Sequence, residues 1–91
     1  MTCQWDETKR QKNVGKHGID FVGVEEVFRG LTVTMEDDRH SYGEQRFVTL
    51  GLLNGRIVVV VHMEREDRMR IISVRKATRY EQELYYSEIR D

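Results

Sequence analysis

Proline is absent from these 91 residues, and cysteine occurs once, at Cys3. Those two absences exclude a secreted scaffold stapled by disulfides, and Cys3 sits too near the N-terminus to anchor a recognisable metal or redox motif. Long apolar runs are missing too. The longest aliphatic stretch, at 57–61, falls far short of the roughly 20 residues that span a bilayer, and the polar, charged segment 1–12 has no signal-peptide pattern. The expectation is a soluble protein of a reducing cytoplasm, with no membrane partner. There is no basic excess: the net charge is −1, with 38% hydrophobic and 34% charged residues. A chain of this size forms one small domain over 1–91, with room for a single modest core.

What the chain does have is a polarised charge distribution. Between 65 and 79 the basic residues are Arg65, Arg68, Arg70, Arg75, Lys76 and Arg79, opposed only by Glu66 and Asp67. Acidic residues gather elsewhere, at Glu25, Glu26, Glu36, Asp37 and Asp38 and towards the C-terminus. Within the basic segment Ile71, Ile72 and Val74 favour a strand. Thr78 and Glu81 then have the Thr-x-x-Glu spacing of a capping box, so a strand hands over to a helix near Ala77. Arg70, Arg75, Lys76 and Arg79 cluster at this handover, and their donors suit phosphate oxygens. Cations in a first helical turn also oppose the helix dipole unless an anion approaches.

Along the chain, Asp6 caps a first helix over about 7–16 that Gly18 ends in a left-handed conformation; Trp5 and Val14 are almost its only large apolar residues. Asp20 caps a second helix, with Phe21, Val24, Val27 and Phe28 on one stripe and Gly30 closing it. His17, between the two, reads as a structural corner residue. From Leu31 the period changes to strands at 31–35, 46–53, 56–64 and 69–77, all antiparallel candidates. Asn54-Gly55 specifies a type I′ hairpin. The apolar 57–61 run fits a central strand covered on both faces. A final helix runs over 78–89 with Tyr80 and Leu84 facing inward. This order predicts an α+β domain, an antiparallel sheet with two N-terminal helices and one C-terminal helix, and no parallel crossover between consecutive strands. Asp37, Asp38 and His40 read as an acidic turn rather than a metal site.

Trp5-Asp6, Lys9, Asn13, Lys16-His17-Gly18, Phe21, Val27-Phe28, Asp38-Arg39-His40-Ser41, Gly43-Glu44, Arg46, Gly51 and Arg70-Ile71-Ile72-Ser73 with Arg75-Lys76-Ala77-Thr78 together resemble the BrnT family of bacterial toxins. Val74 stands where many members have alanine. The resemblance implies a RelE-like fold and a type II toxin that cleaves RNA, inhibits translation and needs no cofactor. It also implies a BrnA-like ribbon-helix-helix antitoxin, two toxins with an antitoxin dimer, and operator DNA met only through that antitoxin.

Metal-independent RNA cleavage needs a base for the ribose 2′-hydroxyl, cations for the phosphorane-like transition state and an acid for the leaving oxygen. Arg70 and Arg75 are the candidate catalytic cations. His62 is the candidate for proton transfer because an imidazole titrates near neutrality; the alternative for it is a half-buried strand histidine hydrogen-bonded to its neighbours. Lys76, Arg79, Arg56 and Arg46 are candidate RNA-binding residues. By strand parity Arg56, Val58, Val60 and His62 share a face. Arg70 and Arg75 have opposite parity, so a common site requires a bulge or an end-of-strand position for Arg75. The competing reading is a non-catalytic domain that binds the antitoxin and modulates operon repression. Direct DNA binding is the weakest reading, since no helix-turn-helix with a basic recognition helix is found.

Overall fold

The computed structural model describes residues 2–37 and 45–90. Its elements run β1 (Thr2–Trp5), α1 (Glu7–His17), α2 (Glu25–Arg29), β2 (Val33–Asp37), β3 (Arg46–Leu53), β4 (Arg56–Arg65), β5 (Arg68–Lys76) and α3 (Arg79–Ile89). Among the described residues these form an α+β domain around a five-stranded sheet in the order β1-β5-β4-β3-β2. The sheet is mixed, which corrects the all-antiparallel expectation: β1 lies parallel to β5, pairing Thr2 with Arg68 through Trp5 with Ile71. Trp5 belongs to this strand and not to the apolar stripe of the first helix. Its neighbours alternate, with Cys3 and Trp5 packed on the core and Thr2 and Gln4 exposed.

The local signals explain most of the remaining elements. Asp6 accepts from the backbone N–H groups of Thr8 and Lys9, and Gly18 ends α1 at φ 70°. Asn54 and Gly55 both have positive φ, 52° and 78°, as a type I′ hairpin requires. Thr78 and Glu81 form the capping box of α3. The second helix is shorter than its apolar stripe suggests. Gly23 adopts φ 92°, which breaks the helix before Glu25, and residues 21–24 make a turn that still buries Phe21 and Val24. In α3 the inward residues include Tyr85, fully buried with its hydroxyl donating to the Leu31 carbonyl at 2.9 Å, and the partly buried Leu84, as expected, whereas Tyr80 is 72% exposed. Tyr85 lies four residues after Glu81 and four before Ile89, on the stripe that meets the sheet; Tyr80 is one position off it.

Strand alternation divides the interior into two cores. On one face α1 and α2 cover Val58, Val60, Met69, Ile71 and Val74 together with Phe21, Val24 and Val27. On the other face α3 covers Leu50, Ile57, Val59 and Ala77 through Tyr85. α2 approaches β3 closely at Gly51, where a Cβ would lie 2.6 Å from Val27 Cγ1. Strand β1 stops at the level of Ile71, and Asn13 of α1 takes its place further along β5. The Asn13 amide donates to the Val74 and Ile19 carbonyls at 2.8 and 2.9 Å and accepts from the Val74 N–H at 3.1 Å. A buried side-chain amide thereby satisfies strand-edge groups that would otherwise be orphaned.

Candidate nucleic-acid interface

The functional geometry turns on one irregularity in β5. Val61 pairs with Ser73 while the next residue, His62, pairs with Ile71, leaving Ile72 as an extra residue on β5. This bulge resets the side-chain alternation. Arg70 pairs with Met63, Ser73 with Val61 and Arg75 with Val59, and these three partners alternate regularly along β4. Arg70, Ser73 and Arg75 therefore share the α3 face, which is the shared placement that a regular strand forbids. Given the rise of a strand, the two arginine Cα positions lie about 13 Å apart with Ser73 between them.

Cross-strand register extends the same face across the sheet. One row contains Asp37, Arg46, Met63, Arg70 and Gln4; the next contains Met35, Val48, Val61 and Ser73; the third contains Val33, Leu50, Val59 and Arg75. α3 packs on the third row and leaves much of the first two outside its core. Arg75 is held at the boundary. Its two terminal nitrogens donate to the two carboxylate oxygens of Glu81, each at 2.8 Å, and the same Glu81 accepts from the Thr78 N–H. The paired Arg75 guanidinium, chiefly, holds the Glu81 carboxyl down at about 2. Arg46 is half-buried beneath the surface of the first row.

The remaining predicted residues are placed elsewhere. His62 lies on the α1/α2 face with 1% exposure, as its parity with Val58 and Val60 requires. Its Nε2 is 2.7 Å from Thr49 Oγ1, which in turn is 2.8 Å from Thr34 Oγ1. Phe28 meets the ring edge-on and Phe47 stacks on it. Burial pushes the imidazole down to about 4, so it is neutral at pH 7. Among the described residues Nδ1 has no hydrogen-bond partner, and it lies 4.0 Å from the Glu64 carboxylate. His62 and the Arg70–Arg75 pair thus occupy opposite sides of the sheet.

Arg56 and Lys76 also fall on the α1/α2 side, paired in register with Leu53 and Val58. Arg56 lines a cleft of about 410 Å³ with Asp20, Glu26 and Asn54. Arg79 projects into solvent, 94% exposed, with Glu83 at 3.6 Å. Among the predicted cations the structure gathers Arg46, Arg70 and Arg75 on one face and disperses the rest. Asp38 and His40 lie outside the described residues. Sequence reasoning passed over Gln4, Ser73 and Glu81 as members of this surface. Ser73 and Glu81 stand in the same conspicuous segment as the arginines, but only the bulge and the ion pair give them their places.

No helix among the described residues is long and apolar enough to cross a membrane. No curated protein is matched by the chain. The family model described as the ribonuclease toxin BrnT of a type II toxin–antitoxin system matches residues 5–81, a span that contains the bulged strand, the arginine pair and Glu81. The chain belongs to the BrnT family of ribonuclease toxins.

Proposed function

We propose that this protein is an endoribonuclease that works without a metal and cleaves RNA on the open α3 face of its sheet, with Arg70 and Arg75 as catalytic cations and Arg46 as a flanking phosphate contact. The observation that carries the reading is the bulge at Ile72, which brings Arg70 and Arg75 to one side around Ser73. Guanidinium groups fixed by a sheet stabilise the extra negative charge of a phosphorane-like transition state without reorganising during the reaction. The Glu81 fork fixes the plane of Arg75, so that this side chain loses little freedom when a phosphate arrives. In this reading His62, neutral and enclosed, organises the interior beneath the site, while Lys76, Arg79 and Arg56 lie around it as peripheral charge.

The fold is read as RelE-like, and the toxin as one that acts in the cytoplasm and stops translation by destroying RNA. Its type II family supports an antitoxin partner. We assign that partner as a BrnA-like ribbon-helix-helix dimer that carries two toxins and connects them to operator DNA.

The test is incubation of the antitoxin-free protein with a defined RNA in EDTA. Wild type yields discrete fragments with cyclic-phosphate ends, and Arg70→Ala slows cleavage by about a hundredfold or more, the scale of losing one preorganised donor. His62→Gln should slow cleavage far less than Arg70→Ala, since the enclosed imidazole lies on the opposite side of the sheet from the arginines. Intact RNA in every lane would favour the competing reading, a non-catalytic antitoxin-binding domain. The engagement of Arg75 by Glu81 and the distance of His62 from the arginines are what speak for that alternative.

A further inference from the structure

At the β4–β5 hairpin end of the α3 face lies a cleft of about 930 Å³ that begins at Arg70 and has no described α3 residue in its lining. The described residues that line it include Gln4, Met63, the three arginines Arg65, Arg68 and Arg70, and the two carboxylates Glu64 and Glu66. Arg65 and Arg68 are direct cross-strand partners, and Arg70 follows on the same side of β5. Like charges directly opposite each other in an antiparallel pair destabilise the sheet. None of these three arginines forms an ion pair with a described residue, in contrast to Arg10 and Arg75. An anion bound between them relieves that repulsion.

The cleft also carries a reading element. Gln4 stands in register beside Arg70 on the edge strand β1, and Met63 flanks Arg70 on the other side. With strands about 4.8 Å apart, the amide, the guanidinium and the thioether form a continuous row about 10 Å wide. The Gln4 side chain is exposed and makes no hydrogen bond with the described residues, whereas its neighbours Cys3 and Trp5 pack on the core. A carboxamide offers donors and an acceptor together, the combination that pairs with a base edge. Such edges are accessible in single strands, while the arginines take the sequence-independent phosphate contacts.

We infer that this cleft is a single-stranded RNA subsite beside the catalytic arginines, in which Arg65 and Arg68 hold the backbone and Gln4 selects the base lying on Met63. The inference rests on the ribonuclease reading above and names where its substrate extends. Glu64 and Glu66 line the same cleft and offset part of its positive charge, so the backbone takes the side where Arg65, Arg68 and Arg70 stand together.

The probes are 2′-O-methyl hexanucleotides, one for each base, which bind but cannot be cleaved through the 2′-oxygen. Wild type should bind one of the four at least about fivefold more tightly than the others, and Gln4→Ala should reduce that preference below about twofold. The double variant Arg65→Ala/Arg68→Ala should bind all four about tenfold more weakly and lower the salt slope by about 0.7 per arginine. All three side chains are exposed, so melting temperatures close to wild type confirm folding of the variants. Equal binding of the four probes by wild type, an unchanged preference in Gln4→Ala, or duplex bound as tightly as single strand would overturn the inference. If wild type cleaves RNA and Arg70→Ala does not, while the subsite variants bind like wild type, the subsite is wrong and the ribonuclease stands. If wild type neither binds nor cleaves, both readings fall.

Discussion

At the residue scale, the most consequential side chain outside the charged surface is Asn13, because one amide completes α1, the loop after it and the edge of β5. Asn13→Ala leaves the buried Val74 N–H and carbonyl and the part-buried Ile19 carbonyl without the amide, a loss of about 2–6 kcal/mol when each of the two buried groups costs about 1–3. Urea denaturation should show the midpoint fall accordingly; a change below about 0.5 kcal/mol would mean that water replaces the amide without penalty. His62 supplies a second residue-scale outcome. Its proton affinity is depressed in the fold, so the unfolded chain binds the extra proton and acid favours unfolding. This contribution is intact above about pH 6.5, declines as the pH falls to about 4 and then levels off. The span corresponds to roughly 3 kcal/mol. His62→Gln should flatten that limb of a stability–pH curve measured by urea titration. Sequence parity placed His62 on the correct face of β4. A buried, hydrogen-bonded strand histidine was legible as the alternative to a catalytic one; that the enclosure is complete was not, because it depends on Phe28 and Phe47 arriving from other elements.

At the scale of elements, α3 is joined to the sheet by a polar hinge as well as an apolar face. Glu81 closes the capping box and grips Arg75, so Glu81→Gln should lower stability by about 1–2 kcal/mol. The carboxyl titrates lower in the fold than in the unfolded chain, so its support is complete above about pH 4.5 and disappears between there and about 2. Thermal melts of the variant should lack that acid limb and retain the earlier one from His62. The capping box, the left-handed Gly18 that ends α1 and the Asn54-Gly55 hairpin were legible because each is a local backbone requirement met by adjacent residues. Strand β1 and the short α2 were not: four alternating residues are too few to announce a strand, and the effect of Gly23 depends on a φ that no apolar stripe encodes. Gly51 belongs to this scale as well. Gly51→Ala pushes α2 off β3 at Val27 and should cost about 1–3 kcal/mol, read as a lower melting temperature.

At the scale of the whole molecule, the same central strands supply both cores: along β4, Val58 and Val60 face α1 and α2, while Ile57 and Val59 face α3. Neither half can lose its packing and leave the other a platform. Unfolding in urea should therefore be a single transition, with Trp5 fluorescence reporting one core and near-ultraviolet tyrosine dichroism reporting Tyr85 in the other. Coincident midpoints are expected; separate ones would show that α3 detaches first. The polarised charge, invisible in a net value of −1, is legible in the sequence as a basic segment. Its division between two faces of a sheet is set by strand phase, which residue counting alone does not reveal.

The extra residue at Ile72 sets that phase. Removing it would shorten the chain by one residue and leave the faces as they are: Ile71 would follow Ser73 opposite His62, and Arg70 would still oppose Met63. A strand that kept Ile72 but paired it with His62 without a bulge would act as an inversion: Met69 and Ile71 would be delivered to water and Arg68 and Arg70 to the interior, with β1 either following them or losing its place beside β5. Which side of this corner is wet is therefore set by accommodating one residue too many, whereas a substitution of Ile72 changes only what fills a half-buried position.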